Sequence, residues 1–398
     1  MPPSATFLPP AAFDDRATVL PRERAAGVHA ERYPMIDVWR GLAALTVVAH
    51  HLTQQTELPG LAAIDAGHWA VMVFFVISGY CIASAADSCQ RKGLSFKTFM
   101  ARRLRRIYPP YMLAVGYFAA SRLVKMAALG ESGLSTDPVR WLQNLTLTQW
   151  VTLTTGPKYL AFDNSTNFVA AYWSLNYEEQ FYLVVAGLIL VSTRLRQPLL
   201  IVSLPVLGLA LLWNLWQPQW SYGLFIEYWA HFGVGILVFF RLCRLERPLH
   251  RRLVDGGLVL FFAAASVAAW RDGVDFAAGR PLSAELTVAS GFGLLLIATR
   301  RISDRFVTTA PGRLLGVLGA LTYSLYLIHQ CHLFISSRVA GLFVEPGWAS
   351  LAIQLVVHVV LILPFYWFCE RPFLNKPLPA TPELKPVPVA SKRQAIAA

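Results

Sequence analysis

The chain is short of charged residues. Of its 398 residues, 15% are charged and 55% are hydrophobic. A soluble domain carries about 25% charged residues, so this composition argues against one and predicts an all-α polytopic membrane protein. The net charge of +12 does not indicate nucleic-acid binding, because the basic residues cluster in short segments between apolar runs, a pattern typical of membrane orientation.

Other absences narrow the chemistry. The five cysteines lack the spacing of metal ligands, so we interpret them as small buried hydrophobic side chains and expect no metal. The Gly-x-Ser-x-Gly elbow of serine hydrolases is missing, which makes Ser78 a poor nucleophile. Residues 1–34 contain no apolar signal-peptide core, and we expect them and residues 374–398 to be disordered cytoplasmic tails around a membrane domain at 35–373. We expect no internal repeat and no appended soluble domain.

About ten stretches are long and apolar enough to predict transmembrane helices. They are 38–57, 67–86, 107–124, 175–193, 198–216, 222–241, 253–270, 283–299, 314–335 and 349–368. Every even-numbered stretch is followed by a basic segment, so we predict that both termini are cytoplasmic. The sequence DPVRWLQNLTLTQWV, between the third and fourth stretches, predicts an interfacial helix that covers the outer mouth.

Arg40 and His51 lie in the first apolar stretch. Eleven residues at about 100° each end about 20° past three full turns, so both side chains share a helix face, roughly 16 Å apart. Titratable groups in a membrane helix are functional candidates, and imidazole is the usual general base near neutral pH. Alternatively, Arg40 is a snorkelling anchor and His51 a hydrogen-bonded packing residue. Asp37 and Glu370 are candidate partners of Arg40.

A cluster of four arginines precedes the third stretch. Guanidinium groups match phosphate geometry, so this cluster is a candidate binding site for a phosphorylated cofactor. The alternative is a topology determinant that contacts anionic lipid. The residues are Arg102, Arg103, Arg105 and Arg106.

Further candidates lie in later stretches. Glu178 opens the fourth stretch, where we predict a polar cavity in which it orients or charge-stabilises His51; alternatively, it only favours the helix N-terminus. Four residues are candidates for substrate binding, with interfacial anchoring or helix packing as the structural alternatives. They are Ser78, Trp173, Tyr177 and His329.

Together these segments resemble the acyltransferase-3 family of integral-membrane O-acyltransferases over about 35–373. The resemblance rests on an arginine, ten residues and a histidine, followed in order by FFVISGY, RRLRRIYPPY, WSLNYEEQFYL, YSLYLIH and ERPF. The chain departs from the family at Asn176–Tyr177 and at Gln330. We expect neither departure to touch the Arg40–His51 pair and both to alter the acceptor site.

The resemblance implies transfer of an acyl group, usually acetyl from cytoplasmic acetyl-CoA, to a hydroxyl. The implied acceptor is a cell-surface polysaccharide, lipopolysaccharide or lipid-linked sugar, and the implied location is the bacterial inner membrane. His51 would act as general base with Glu178, or carry the acyl group itself. Some members carry a fused hydrolase-like domain, which we do not expect here, and a separate envelope glycan-assembly protein is therefore an expected partner. A small-molecule or lipid acceptor, and a proton-coupled transporter, are the rival interpretations.

Overall fold

The computed structural model describes residues 33–53, 58, 65–130, 133–152, 156–157, 167–216, 220–221, 223–273 and 281–374. Nearly all of both predicted tails therefore lies outside the described residues. The helices are α1 (Met35–Thr53), α2 (Ala66–Arg91), α3 (Phe96–Leu129), α4 (Pro138–Thr146), α5 (Trp173–Leu195), α6 (Leu199–Trp216), α7 (Trp229–Cys243), α8 (Pro248–Asp272), α9 (Leu282–Phe306), α10 (Ala310–Ala320), α11 (Thr322–Ala340) and α12 (Trp348–Phe365). Shorter elements are 3-10 turns at Gln149–Thr152, Ala170–Tyr172, Phe225–Glu227 and Arg371–Phe373, a π turn at Tyr366–Glu370, and the antiparallel two-residue strands β1 (Gly156–Pro157) and β2 (Trp220–Ser221).

The predicted helical architecture is confirmed, and each predicted apolar stretch overlaps a helix, although the stretch 222–241 forms an α-helix only from Trp229. Six helices in the described part of the chain are long and apolar enough to cross a membrane, namely α2, α3, α6, α8, α9 and α12. Helices α10 and α11 meet at a bend of 73° and make a seventh candidate if they count as one span. The ninth predicted stretch is thus a broken pair rather than one straight helix.

Helices α1, α5 and α7 do not meet the same criteria of length and composition. Helix α7 has 15 residues, and α1 and α5 carry several charged or titratable side chains. All three pack against other helices on several sides: α1 against α2, α9, α10, α11 and α12, and α7 against α2, α6, α8 and α9. Polar groups in membrane proteins face such interiors, so α1 and α5 need less apolar surface than helices that face lipid, whereas α7 is apolar and only short.

Glycines bring α1 and α10 into backbone contact. A Cβ atom at Gly319 would lie 1.8 Å from the carbonyl oxygen of Asp37, and one at Gly41 would lie 2.3 Å from that of Leu315. Small residues at helix interfaces allow this close approach. Since Gly41 follows Arg40 directly, the contact fixes the start of the helix that carries Arg40 and His51.

Helix α3 begins well before the predicted stretch at 107–124. The side chain of Ser95 accepts a hydrogen bond from the backbone of Thr98 and caps the helix, which then continues through Pro109 and Pro110. The arginine-rich segment is therefore helical, and residues three apart in it share a face.

The amphipathic segment predicted after α3 does form a helix, α4. Asp137 caps it by accepting from the backbone of Val139, and Pro138 occupies its first turn. Its position over an outer mouth stays a prediction.

Candidate functional site

A cavity of about 120 Å³ lies where α1, α2, α3, α5 and α11 meet. We call it the arginine cavity because three guanidinium groups line it. Its polar lining consists of Arg40, Arg103, Arg106, Ser78, Ser174, Glu178, Thr322 and the tyrosines Tyr182, Tyr323 and Tyr326. Three cations against one carboxylate make the cavity electropositive and suited to an anionic ligand.

The helical geometry of α3 divides the predicted arginine cluster into two pairs. Arg103 and Arg106, three residues apart, line the arginine cavity, whereas Arg102 and Arg105 do not. Arg103 lies over the ring of Tyr182, with its guanidinium carbon 5.6 Å from the ring centre. The predicted cluster therefore does not lie within one cavity, and its binding of a phosphorylated cofactor stays a prediction.

The two predicted partners of Arg40 have different roles. Asp37 forms the expected ion pair, with a carboxylate oxygen 3.5 Å from a guanidinium nitrogen. Glu370 forms no ion pair within 4 Å among the described residues; it instead accepts from the backbone N–H (2.9 Å) and hydroxyl (2.5 Å) of Ser324. A carboxylate there satisfies a free N–H group in the first turn of α11 and stabilises the start of that helix.

Glu178 lies in the arginine cavity and not beside His51. Its carboxylate accepts hydrogen bonds from the hydroxyls of Ser78 (3.3 Å) and Tyr182 (2.5 Å). Within the described ranges, no hydrogen bond joins it to His51. The predicted orienting contact is therefore not formed, because α5 directs this side chain toward α2 and α3.

His51 lines a second cavity, of about 170 Å³, at the other end of α1. We call it the histidine cavity. Its lining includes His50, His51, Asp65, His68, Trp173, Tyr326 and Gln330.

Two carboxylates hold two of these imidazoles. Nε2 of His68 lies 2.8 Å from an oxygen of the buried Glu285, and Nε2 of His50 lies 3.4 Å from an oxygen of Asp65. A total of 217 residues separates His68 from Glu285. No spacing in the sequence signals this pair, which depends on the packing of α2 against α9.

The immediate surroundings of His51 come from α11. The side-chain Nε2 of Gln330 donates to Nε2 of His51 at 3.4 Å, so the expectation that this departure from the family avoids the Arg40–His51 pair is wrong. The ring of His329 lies 5.2 Å from that of His51. Nδ1 of His329 faces the carbonyl oxygens of Leu325 and Tyr326, which only accept hydrogen bonds. Its proton is therefore on Nδ1, leaving Nε2 as a buried acceptor.

Tyr326 lines both cavities and stands between them. Its hydroxyl hydrogen-bonds to the hydroxyl of Ser174 (2.7 Å) and donates to the carbonyl oxygen of Ala171. These bonds tie the middle of α11 to the start of α5. Tyr326 belongs to the YSLYLIH segment, but its position between two cavities was not predictable from that segment.

The remaining substrate-binding candidates separate by location. Ser78 lines the arginine cavity and Trp173 the histidine cavity. Tyr177 lines neither of them. It is buried in an aromatic cluster with Phe75 and Tyr228, and its hydroxyl donates to Glu227 at 2.8 Å, which indicates a packing role.

Several known proteins are similar to this chain. The profile of the acyltransferase-3 family, described as an acyltransferase domain, matches residues 33–369. The peptidoglycan O-acetyltransferase OatA of Listeria monocytogenes is 29% identical over 188 residues, which cover 46% of this chain and 28% of OatA. The chain thus spans less than a third of that relative.

A second relative matches over nearly its full length. The exopolysaccharide production protein ExoZ of Rhizobium meliloti is 27% identical over 346 residues, which cover 82% of this chain and 92% of ExoZ. No solved structure matches the chain. Because the family profile covers the helices that build both cavities, the chain belongs to the acyltransferase-3 family.

Proposed function

We propose that the protein is an integral-membrane O-acyltransferase that moves an acyl group from cytoplasmic acyl-CoA to a hydroxyl of an envelope polysaccharide or lipid-linked sugar. One observation carries the proposal. Helix α1 presents Arg40 to an electropositive cavity at one end and His51 to a histidine-rich cavity at the other, with Tyr326 between them. This arrangement suits a reaction whose two substrates arrive from opposite sides.

The membrane topology that we propose has ten spans, with both termini in the cytoplasm. Helices α1, α5 and α7 then also cross the membrane, packed against other spans. The arginine cavity faces the cytoplasm, in keeping with the basic start of α3, and the histidine cavity faces the outer side. We place the protein in a bacterial inner membrane.

The donor site in this scheme is the arginine cavity. Arg40, Arg103 and Arg106 bind the phosphates of acyl-CoA, most simply acetyl-CoA, through charge-assisted hydrogen bonds. The pantetheine arm extends along α1, past Tyr326, so that the thioester reaches His51. The rise from Arg40 to His51, roughly 16 Å, sets the length that the arm has to span.

The reaction itself takes place beside His51. The imidazole removes the proton from the acceptor hydroxyl, the oxygen attacks the thioester carbonyl, and the departing CoA thiolate takes the proton from the imidazolium. Nε2 of His51 accepts from Gln330 in the structure, so the acceptor hydroxyl replaces that hydrogen bond at Nε2, and the free Nε2 of His329 accepts a hydrogen bond from the substrate. In the alternative relay, a nitrogen of His51 attacks the thioester first, and CoA leaves as a thiol with the proton that the acylated imidazole loses. The acceptor oxygen then takes the acyl group, and the proton of its hydroxyl returns to the imidazole.

Replacement of His51 tests both routes. Membranes that contain His51→Ala, incubated with acyl-labelled CoA, are expected to transfer no label to glycan or lipid, because either route needs this imidazole. His250→Ala, at an exposed position on α8, is the matched control and should behave as wild type. Near-normal transfer by His51→Ala would contradict the proposal, and transport of solutes without any new ester would indicate a transporter.

Comparison of strains identifies the acceptor. Mass spectrometry of the envelope glycan from a deletion strain should show loss of one ester relative to wild type, which names acyl group and acceptor together. A small-molecule or lipid acceptor would leave the glycan unchanged. We further propose that a separate glycan-assembly protein presents the acceptor at the outer side.

A further inference from the structure

A third cavity, of about 440 Å³, lies between α3 and α11 on the far side of His51 from the arginine cavity. We call it the outer groove. Its lining consists of Lys125, Gln330, Leu333, Phe334, Ser337 and Arg338. The five residues from α11 follow the spacing of a single helix face, which rises roughly 12 Å from Gln330 to Arg338.

The outer groove and the histidine cavity meet at Gln330, which lines both. The same side chain donates to Nε2 of His51. A ligand in the outer groove would therefore reach the imidazole past one amide, over a distance that a short saccharide spans.

Two cations mark the end of the groove away from His51. The ammonium of Lys125 lies 5.6 Å from the ring centre of Phe334, and the guanidinium of Arg338 lies 5.1 Å from the same centre. Neither cation forms an ion pair within the described residues. In the proposed topology both lie on the outer side, where the orientation of the protein does not call for positive charge. An anionic ligand bound in the outer groove would explain the presence of both cations.

The flanks of the groove are apolar and exposed. Val124 is 66% exposed and Ile335 is 43% exposed, next to Lys125 and Phe334 respectively. In a membrane protein such surface faces lipid, so the groove opens toward the bilayer at the level of its two cations. This favours a ligand that carries its anionic group on a lipid over a soluble glycan.

We propose that Lys125 and Arg338 bind the phosphate of a lipid-linked acceptor, with its lipid chain against Val124 and Ile335 and its sugar directed past Gln330 to His51. The assignment rests on the proposed acyltransferase function and adds the chemical class of the acceptor. Lysine and arginine are the side chains that most often bind phosphate, and a Phe334 ring shared by both cations keeps them close together.

Binding to the full chain in neutral phosphatidylcholine nanodiscs tests the site directly. The probe is a fluorescent polyprenyl phosphate, and the variants are Lys125→Gln/Arg338→Gln and the control Arg271→Gln. Arg271 is an exposed cation in the last turn of α8 that lines none of the three cavities. We expect the double variant to bind at least tenfold more weakly than wild type and the control to bind normally, with neutral polyprenol binding poorly to all three proteins.

Competition experiments distinguish the possible sources of the bound anion. Equal displacement of the probe by phosphatidylglycerol would show a general site for lipid headgroups, and equal displacement by inorganic phosphate would show that no lipid is needed. Either result, or unchanged binding by the double variant, overturns the assignment.

Hydrolysis of acyl-CoA in the absence of acceptor separates this assignment from the proposed function. The double variant should retain donor hydrolysis at the wild-type rate while its KM for a lipid-linked phosphorylated acceptor rises about tenfold. If the double variant transfers acyl groups normally but His51→Ala does not, the acyltransferase function stands and the phosphate site is refuted. If His51→Ala also transfers normally, the proposed function itself fails.

Discussion

Two of the four arginines of α3 line the arginine cavity and two do not, so the second two serve as controls for the first two in one prediction. Arg103→Gln and Arg106→Gln each remove a cation that lines the arginine cavity, whereas Arg102→Gln and Arg105→Gln remove cations that do not. If the cavity binds the phosphates of acyl-CoA, the first two changes should raise the donor KM and the last two should leave it near wild type.

The expected size follows from the hydrogen bonds lost. A hydrogen bond to a charged group contributes about 1.5–3 kcal/mol, and each 1.4 kcal/mol corresponds to about tenfold in affinity. Both arginines are partly exposed, so solvent screening favours the low end, about tenfold in donor KM for each. Arg103→Lys keeps the charge but loses the planar fork, and should fall between wild type and Arg103→Gln.

Steady-state kinetics at varied acyl-CoA measure the effect. Arg103 also packs over Tyr182, so a melting curve of each purified variant should accompany the kinetics, because a lost cation–π contact costs only about 0.5–1 kcal/mol. An equal rise in donor KM for all four variants would indicate a general surface field. An unchanged donor KM for Arg103→Gln and Arg106→Gln would refute the donor site.

Two further changes test the helix contact and the barrier between the cavities. Gly319→Ala forces a Cβ atom against the Asp37 carbonyl and should lower the melting temperature, since overpacking costs about 1–3 kcal/mol. The control Gly316→Ala places its Cβ atom where no other atom lies within 4 Å, so it should not lower the melting temperature. Equal melting temperatures of the two variants would contradict the contact between α1 and α10. Tyr326→Phe loses both hydroxyl hydrogen bonds and should raise acyl-CoA hydrolysis without acceptor, measured by thiol release. Tyr323 lines the arginine cavity but not the histidine cavity, so Tyr323→Phe should not raise this rate of hydrolysis. An unchanged rate in both variants would argue against a barrier at Tyr326.

Local rules predicted the elements of this fold well. Apolar length located the helices, and the eleven-residue spacing placed Arg40 and His51 on one side of α1. The same rules failed where the chain breaks a helix or extends one. The bend between α10 and α11 precedes a helix start that the side chain of Glu370 caps from 46 residues away. The early start of α3 depends on a single serine cap that the apolar pattern does not contain.

Contacts between distant segments were beyond the reach of sequence patterns. The sequence predicts a polar cavity that Glu178 shares with His51, but the depth and rotation of each helix decide the neighbours of its side chains. The structure gives His51 a neighbour from α11, Gln330, and leaves Glu178 with Ser78 and Tyr182. The neighbours of a side chain depend on the packing angles between helices. The periodicity of a single helix carries no information about those angles.

Helices α1 and α5 do not meet the criteria for an apolar span, and they carry much of the candidate chemistry. Both properties have the same cause. A titratable side chain in a membrane helix is costly unless neighbouring helices and cavities surround it. Helix α1 meets that condition through its contacts with five other helices, and it can therefore hold Arg40, His50 and His51. Low apolarity in a helix with many helix neighbours thus points to the reactive interior, whereas low apolarity in a helix with few neighbours points to a surface segment. By this criterion α1 and α5 mark the site, and α4, which is short and packs against α3 and the turn at Gln149–Thr152, does not.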